Sequence, residues 1–203
     1  MIAIEEQAHG RTADIDRPVT FVNTADDVAA LLHQLKIAQA DVVGFSNGGT
    51  TVLQLAIRHP KLVRRVVSIS GSFKRDAHDP QFWEGMKHAT LDSMPAELKA
   101  AQLKVNPDPA ALRRMFERDV WRMLNYTDIP ADQIRAIAAP TLVIVGDRDV
   151  VRAEHAVELF RTLANGQLAI LPNSDHEAIM KRADVLVGVI QPFLETALLS
   201  PHR

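Results

Sequence analysis

The chain has 203 residues, of which 47% are hydrophobic and 24% are charged, and this is typical of one soluble globular protein with a sizeable core. The formal net charge of −2 and the isoelectric point near 6.4 argue against nucleic acid or an anionic membrane as a partner. Because the chain has no cysteine, disulfides, thiolate catalysis and cysteine-ligated metals are excluded. No apolar run approaches the ~20 residues of a membrane span. The first residues also lack the basic region of a signal peptide, so we expect a cytoplasmic protein.

The first 39 residues predict a strand, a loop and a helix. Residues 1–4 are apolar and are typical of the end of a buried strand, residues 7–12 predict a loop, and residues 18–23 predict an extended segment. Thr24 is followed three residues later by Asp27, an arrangement that predicts the first turn of a helix. Apolar residues then recur at helical spacing on one face: Ala25, Val28, Leu32 and Leu35.

The stretch around Ser46 has the pattern of a strand, a sharp turn and a helix. The apolar strand at residues 40–45 leads into Gly44-x-Ser46-x-Gly48, and the helix after it ends near His59. This spacing is that of a nucleophile on a strained turn, where a side chain at either glycine would collide with its neighbours. The first N–H groups of the helix point at the same spot and can hold an oxyanion. Glycine-rich turns with an inert serine share the spacing, but the strand and helix on either side favour the nucleophile.

After a strand predicted at residues 63–69, the character of the chain changes. Residues 73–138 contain helical patches interrupted by prolines and no convincing strand. Both tryptophans, the single tyrosine and four of the six methionines lie in this insert. The bias favours an apolar ligand pocket that uses Trp83, Met115 and Trp121, although a small helical subdomain also needs a core of its own.

Strands and helices alternate again in the last third of the chain. Residues 140–145 predict a buried strand, which is followed by Asp147 and Asp149. Three further elements are predicted: a helix at residues 152–164, a strand at residues 167–171 followed by His176, and a helix from Ala183 to the end of the chain. This alternation predicts an α/β fold with a mostly parallel, doubly wound sheet and functional groups at the C-terminal ends of its strands.

Ser46, Asp149 and His176 each follow the end of a different predicted strand. A serine hydroxyl is a poor nucleophile until a base removes its proton, and the base needs a carboxylate to hold it in the correct tautomer. These three residue types, in this chain order, therefore predict a nucleophile, an orienting acid and a base.

The base and the acid each have an alternative. His9 lies in a loop near the predicted strand ends and is the alternative to His176. Asp147 is the alternative to Asp149, although the first carboxylate of Gly-Asp-x-Asp more often caps the turn, and Asp76 is a more distant third. Three other histidines lie in or at the end of predicted helices and are expected to face solvent: His33, His59 and His155.

Several segments carry a family resemblance. They are Gly44-Phe45-Ser46-Asn47-Gly48-Gly49, His59-Pro60-x-Leu62-Val63, Pro140-Thr141-Leu142-Val143-Ile144-x-Gly146-Asp147-x-Asp149 and His176. Together they resemble the α/β-hydrolase superfamily, and more narrowly its cap-bearing members with a serine nucleophile, of the esterase and haloperoxidase-like type. Residues 7–12 also resemble the family's Gly-His-Gly-x-Ser loop, with Ala8 in place of a glycine.

The resemblance implies that Ser46, Asp149 and His176 form a catalytic triad. It also implies two domains: an α/β-hydrolase core of residues 1–72 and 139–203, and a helical cap at residues 73–138. A serine at position 46 argues against the haloalkane dehalogenases and epoxide hydrolases of this superfamily, because their nucleophile is an aspartate.

By comparison with the family, we expect the chain to begin at what resembles the fourth strand and to be N-terminally truncated. The loop after the family's third strand supplies half of the oxyanion hole, so we expect only the backbone N–H of Asn47 to remain. Loss of one such donor typically costs ~10²–10³ in rate. A strand edge left open by the missing strands favours self-association, which leads us to expect a homodimer.

The resulting hypothesis is a serine hydrolase that cleaves a carboxylic ester, thioester or lactone through an acyl-enzyme on Ser46. His176 would act as base and then acid, and Asp149 would orient it. The expected partner is a small ester-like molecule, with no nucleic acid, membrane, cofactor or metal. Two alternatives stay open: a poorly catalytic or ligand-binding homologue, and an acyltransferase that uses an acceptor other than water.

Overall fold

The computed structural model describes residues 1–195 and contains a four-stranded parallel sheet. Its strands lie in the order of the sequence: β1 (Ala40–Phe45), β2 (Val63–Ile69), β3 (Thr141–Gly146) and β4 (Gly166–Leu171). The helices are α1 (Phe21–Gln34), α2 (Asn47–Arg58), α3 (Pro80–Lys87), α4 (Ala96–Val105), α5 (Pro109–Leu124), α6 (Ala131–Arg135), α7 (Ala153–Thr162), α8 (His176–Lys181) and α9 (Ala183–Glu195). The predicted parallel α/β fold is confirmed.

Helices cover both faces of the sheet. On β3, Val143 and Val145 belong to one apolar cluster, whereas Leu142 and Ile144 belong to a second cluster on the opposite face. The first cluster includes buried residues of α2 and α7, and the second includes Phe193 of α9. A strand that is buried on both faces reads as a continuous apolar run, which is why β3 was predictable from the sequence.

The chain divides into two compact units. The sheet unit consists of Ala25–Asp79 and Thr127–Arg203 and contains all four strands. The helical unit consists of Met1–Thr24 and Pro80–Tyr126. The predicted boundaries assigned residues 1–72 to the core and 73–138 to the cap, so the first 24 residues group differently in the structure. Polar contacts account for this grouping: the N–H of Gly10, for example, donates to Oε1 of Gln102 at 2.9 Å.

Residues 1–4 do not form the predicted strand. The side chains of Met1, Ile2 and Ile4 are exposed, and residues 5–12 are held by polar contacts instead. Both carboxylate oxygens of Glu5 bind the Arg11 side chain, and one of them also accepts the Arg11 N–H. A short apolar segment with no neighbouring strand has no ladder to complete, so its hydrophobicity alone did not determine its conformation.

The first helix begins earlier than predicted. Thr20, not Thr24, caps it, because the Thr20 hydroxyl accepts the N–H of Asn23 at 3.0 Å. Phe21 at the first helical position is buried, and its ring packs edge-on against that of Tyr126 at 5.4 Å. Near the other end of the chain, α8 was not predicted, and the predicted continuation of α9 beyond Glu195 lies outside the described residues.

In the part of the chain that the structure describes, β1 is an outer strand of the sheet and has an apolar face that is partly open. Val43 of β1 is 51% exposed, and it lines a groove of about 500 Å³ together with Phe45 and residues of α9. An unpaired edge beside exposed apolar side chains promotes association with another chain.

We therefore expect the 203-residue chain to self-associate through β1. In sedimentation experiments, Val43→Lys should shift the population toward the monomer, because it places a charge in the exposed groove. Leu98→Lys is the matched control, since Leu98 is similarly exposed but lies on α4. A parent chain that is monomeric at high concentration would contradict the expectation.

Candidate active site

Ser46 lies on a strained turn between β1 and α2. Its φ and ψ are 55° and −118°, in a region that residues with a side chain rarely occupy. The turn is held because the N–H of Ser46 donates to the carbonyl of Ile69 on β2 at 2.8 Å. α2 begins at Asn47. The N–H groups in the first turn of a helix have no acceptor within the helix itself.

The two glycines that flank Ser46 differ in what they permit. A Cβ on Gly44 would lie 2.0 Å from the carbonyl oxygen of Gly48, so the turn requires a glycine there. A Cβ on Gly48 would meet no atom of the described residues within 4 Å, so the predicted collision at that position is wrong. Gly49 has the second tight contact, because a Cβ there would lie 2.8 Å from the backbone of Gly71. Close packing of α2 on the end of β2 therefore depends on Gly49.

The structure brings Ser46, His176 and Asp149 together within the sheet unit. Nε2 of His176 lies 3.0 Å from the hydroxyl of Ser46, and Nδ1 lies 2.8 Å from Oδ1 of Asp149. A carboxylate can only accept, so Nδ1–H donates to Asp149 and Nε2 is left to accept from Ser46. The ring of Phe45 packs against the His176 ring, with centroids 4.7 Å apart and planes tilted by 35°. These contacts hold the imidazole from two sides.

The Asp149 side chain is fully buried and accepts hydrogen bonds at both oxygens. Oδ1 accepts from His176 and from the N–H of Val151 at 3.1 Å, and Oδ2 accepts from the hydroxyl of Ser70 at 2.6 Å. Burial by itself would raise the pKa of Asp149, but the hydrogen bonds from His176 and Ser70 outweigh it and lower the pKa below its usual value. The carboxylate is therefore held in its ionised form.

The alternative residues have other partners. Asp147 accepts the N–H of Asn173 at 2.9 Å and that of Ser174 at 3.0 Å, which holds the loop before His176 and lowers the pKa of Asp147. Asp76 is exposed and lies 3.9 Å from Nδ1 of His155. His9 belongs to the helical unit, where its Nε2 lies 3.1 Å from Asp119.

Comparisons with known proteins place the chain among hydrolases. The sequence matches the family described as alpha/beta hydrolase fold over residues 7–99. It is 25% identical over 229 aligned positions to a pimeloyl-[acyl-carrier protein] methyl ester esterase of Neisseria meningitidis, covering 97% of this chain and 83% of the esterase. The structure resembles the enol-lactonase of Burkholderia xenovorans LB400 with a TM-score of 0.69 and 25% identity, over 94% of this chain and 79% of that one.

The chain has the α/β-hydrolase fold and is similar to members of that superfamily. A hydrolase from Pseudomonas aeruginosa has the same fold, with a TM-score of 0.71 and 24% identity over 94% of this chain and 78% of its own. Because these relatives are named as esterases, lactonases and hydrolases, the comparisons support hydrolase activity for this α/β hydrolase too. Among its described residues, no helix has the length and apolarity that crossing a membrane would require.

The pocket residues predicted for this α/β hydrolase lie in the helical unit. Trp83 on α3 is half-buried, and its ring meets that of Phe82 edge-on at 5.1 Å. Trp121 on α5 is 42% exposed, whereas Met115 on the same helix is only 5% exposed. Met115 is thus buried, and the two tryptophans keep exposed surface that a ligand could contact.

Among the described residues of the hydrolase, one group of side chains has the spacing of metal ligands: Asp76, His155 and Glu158. Nε2 of His155 accepts the N–H of Phe73 at 3.2 Å, so Nδ1 carries the proton. Nδ1 is the atom that faces Asp76, and a protonated nitrogen cannot ligate a metal. Glu158 is also paired with Lys74. The arrangement does not fit a metal ion.

His155 is buried, which contradicts the expectation that it faces solvent. It is 1% exposed, and its ring packs against that of Phe73 at 4.8 Å. Burial lowers its pKa from 6.5 to about 4, against the attraction of Asp76 and Glu158. The folded protein therefore contains the neutral imidazole over a range in which the unfolded chain is protonated.

This histidine predicts a loss of stability in acid. Between pH 6.5 and 4 the unfolded state binds more protons than the folded state, so the free energy of unfolding falls as the pH falls. For His155 alone we expect a decrease of about 3 kcal/mol across this window. Denaturant titrations at several pH values measure it. His155→Gln, which keeps an acceptor for Phe73, should flatten the dependence, and the exposed His33→Gln should leave it unchanged. Parallel curves for His155→Gln and the parent would contradict the assignment.

Two contacts of the site were missed by sequence reasoning. Phe45 was noted only as the last residue of a strand and a member of the motif around Ser46, and Ser70 was not singled out. The available signal was their position, because both lie at the C-terminal ends of parallel strands, where functional groups meet.

Proposed function

We propose that this α/β hydrolase is a serine hydrolase that cleaves a carboxylic ester, thioester or lactone through an acyl-enzyme on Ser46. The observation that carries the proposal is the continuous hydrogen-bonded line from Ser46 through His176 to Asp149, with distances of 3.0 and 2.8 Å. This is the arrangement in which a base can take the serine proton as the nucleophile attacks.

In the proposed first half-reaction, the Ser46 oxygen attacks the substrate carbonyl carbon and its proton passes to Nε2 of His176. The tetrahedral intermediate collapses when the bond to the leaving group breaks, and His176 returns the proton to the departing oxygen or sulfur. In the second half-reaction a water molecule replaces Ser46 as the nucleophile, again with His176 as base, and the acid product leaves with Ser46 restored.

Asp149 has the proposed role of orienting and stabilising the imidazole. Its buried carboxylate fixes the tautomer in which Nε2 can accept, and it compensates the positive charge that forms on His176. The lowered pKa of Asp149 supports this role, because the acid stays ionised while the histidine is transiently charged.

The oxyanion that develops on the substrate would be held by the N–H of Asn47. That group is at the N-terminus of α2, where the N–H groups carry positive partial charge, and it directly follows the nucleophile.

The substrate class follows from the chemistry and from the named relatives. The proposed nucleophile needs an electrophilic carbonyl with a leaving group that His176 can protonate. Two similar proteins are named for a methyl ester and for an enol-lactone, and both groups have a carbonyl carbon bonded to a leaving oxygen. A carboxylic ester, thioester or lactone is therefore the proposed substrate.

Labelling with a fluorophosphonate probe tests the proposal. An activated Ser46 displaces fluoride and becomes covalently phosphonylated, and mass spectrometry of the digest should place the adduct on Ser46. The His176→Gln variant should not be labelled. A folded parent that resists the probe would contradict the proposal and favour the ligand-binding alternative. If the protein is labelled but transfers an acyl group to an added amine or alcohol faster than to water, an acyltransferase would be favoured.

A further inference from the structure

We propose that Ser70 is a positioning residue of the site, whose hydroxyl holds the Asp149 carboxylate in the orientation that His176 requires. The inference rests on the proposed serine-hydrolase function and extends it to a residue after β2. Ser70 and Asp149 are 79 positions apart in the sequence, and their side chains meet at 2.6 Å.

The first argument comes from the hydrogen bonds of Asp149. The described residues supply two donors to Oδ1, namely His176 and the N–H of Val151, whereas the donor to Oδ2 is the Ser70 hydroxyl. A buried carboxylate is costly unless its oxygens accept hydrogen bonds. Without Ser70, the carboxylate can rotate about its last bond to find another donor, and such a rotation moves Oδ1 away from His176.

The second argument comes from the backbone. Ser70 has a φ of 51°, a conformation in which glycine is unstrained and a residue with a Cβ is not. Its N–H donates to the carbonyl of Ile144 on β3 at 2.7 Å, which fixes the position of the strained residue. Position 70 could therefore be occupied by glycine without strain, as the neighbouring position 71 is. A serine in this strained position is explained by the bond that its side chain makes.

The third argument is that Ser70 is buried, with 4% of its surface exposed. Its hydroxyl is therefore not a surface group that happens to lie near an acid. Strand order places it there: β2 is the neighbour of both β1, which leads to Ser46, and β3, which leads to Asp149. The end of β2 therefore lies beside the ends of both neighbouring strands.

Kinetics of Ser70→Ala and Ser70→Gly test the inference on the full chain, with a short aryl ester as the probe. Both variants lack the hydroxyl, and Ser70→Gly also relieves the backbone strain. We expect both to lower kcat by roughly ten- to a hundredfold, with KM changed by less than about twofold. The acid limb of the pH profile should move to lower pH, because a carboxylate that has rotated away from His176 stabilises the imidazolium less.

Thr141→Val is the matched control, because it removes a buried hydroxyl that donates to the carbonyl of Ala139 at the start of β3. This variant should keep the parental pH profile. If Ser70→Gly is as fast as the parent, or if both Ser70 variants are slower with an unshifted pH profile, Ser70 has only a structural role and the inference is wrong.

A measurement that does not depend on turnover separates this inference from the proposed function. The proton shared by His176 and Asp149 gives a downfield NMR resonance, which should shift or broaden in Ser70→Ala and stay in place in Thr141→Val. A parent that shows this Ser70-dependent resonance but resists the fluorophosphonate would overturn the proposed function and keep the positioning role. An active parent whose resonance is unchanged in Ser70→Ala would keep the proposed function and overturn the positioning role of Ser70.

Discussion

Replacing Ser46 with alanine is expected to lower the hydrolysis of a short aryl ester by roughly 10³-fold or more, as removal of a catalytic nucleophile does in other hydrolases. The substitution removes one oxygen and adds no atom, so the strained turn keeps the same steric requirements. The N–H of residue 46 still donates to Ile69, and Gly44 still permits the close approach of Gly48. The loss should therefore be in kcat and not in folding.

Steady-state kinetics and thermal melts, measured together, check this expectation. Thr162→Val is a suitable control, because it also removes a side-chain hydroxyl but one that donates to the Glu158 carbonyl within α7. Its turnover should equal that of the parent. If Ser46→Ala retained turnover within tenfold of the parent at an equal folded fraction, Ser46 could not be the nucleophile.

The second large effect is expected at Asp149. In Asp149→Asn the amide nitrogen can donate toward His176, which favours the tautomer with the proton on Nε2. That tautomer cannot accept the proton of Ser46, so we expect a loss of roughly 10⁴-fold in kcat with little change in geometry. The buried position of the Asp149 side chain strengthens the expectation, because water cannot reach it to stabilise the positive charge on His176 in place of the carboxylate.

Asp147→Asn is the matched comparison, since it makes the same chemical change two residues away. Asp147 is exposed and binds the backbone of Asn173 and Ser174, so the substitution removes an acceptor from the loop that precedes His176. We expect a lower melting temperature and a much smaller loss of turnover than in Asp149→Asn. If Asp147→Asn were the slower variant at equal folded fraction, the two carboxylates would have to exchange roles.

Much of the sheet unit could be predicted from local patterns. The run from Pro140 to Val145 is apolar without alternation, and the strand observed there is Thr141–Gly146. A strand buried on both faces produces such a run regardless of which strand lies beside it. The turn at Ser46 was predictable for a similar reason, because a glycine two residues before the serine is required by contacts within the turn itself.

Other features depended on partners that are far away in the sequence. Residues 1–4 are apolar enough for a strand, but pairing decides strand formation, and Met1, Ile2 and Ile4 are exposed in the structure. His155 lies on α7 next to Glu154, and its burial against the ring of Phe73 is a contact with a residue far away in the sequence.

The sequence by itself determined the strands of the sheet, the turn that carries Ser46 and the set of residues from which a base and an acid could be chosen. Only the tertiary structure decided between Asp147 and Asp149 as the partner of His176, and only it placed Ser70 against Asp149. The physical reason is that spacing along a chain reports contacts within one element. Contacts between the ends of β2 and β3 depend on the order and register of strands separated by the whole helical insert.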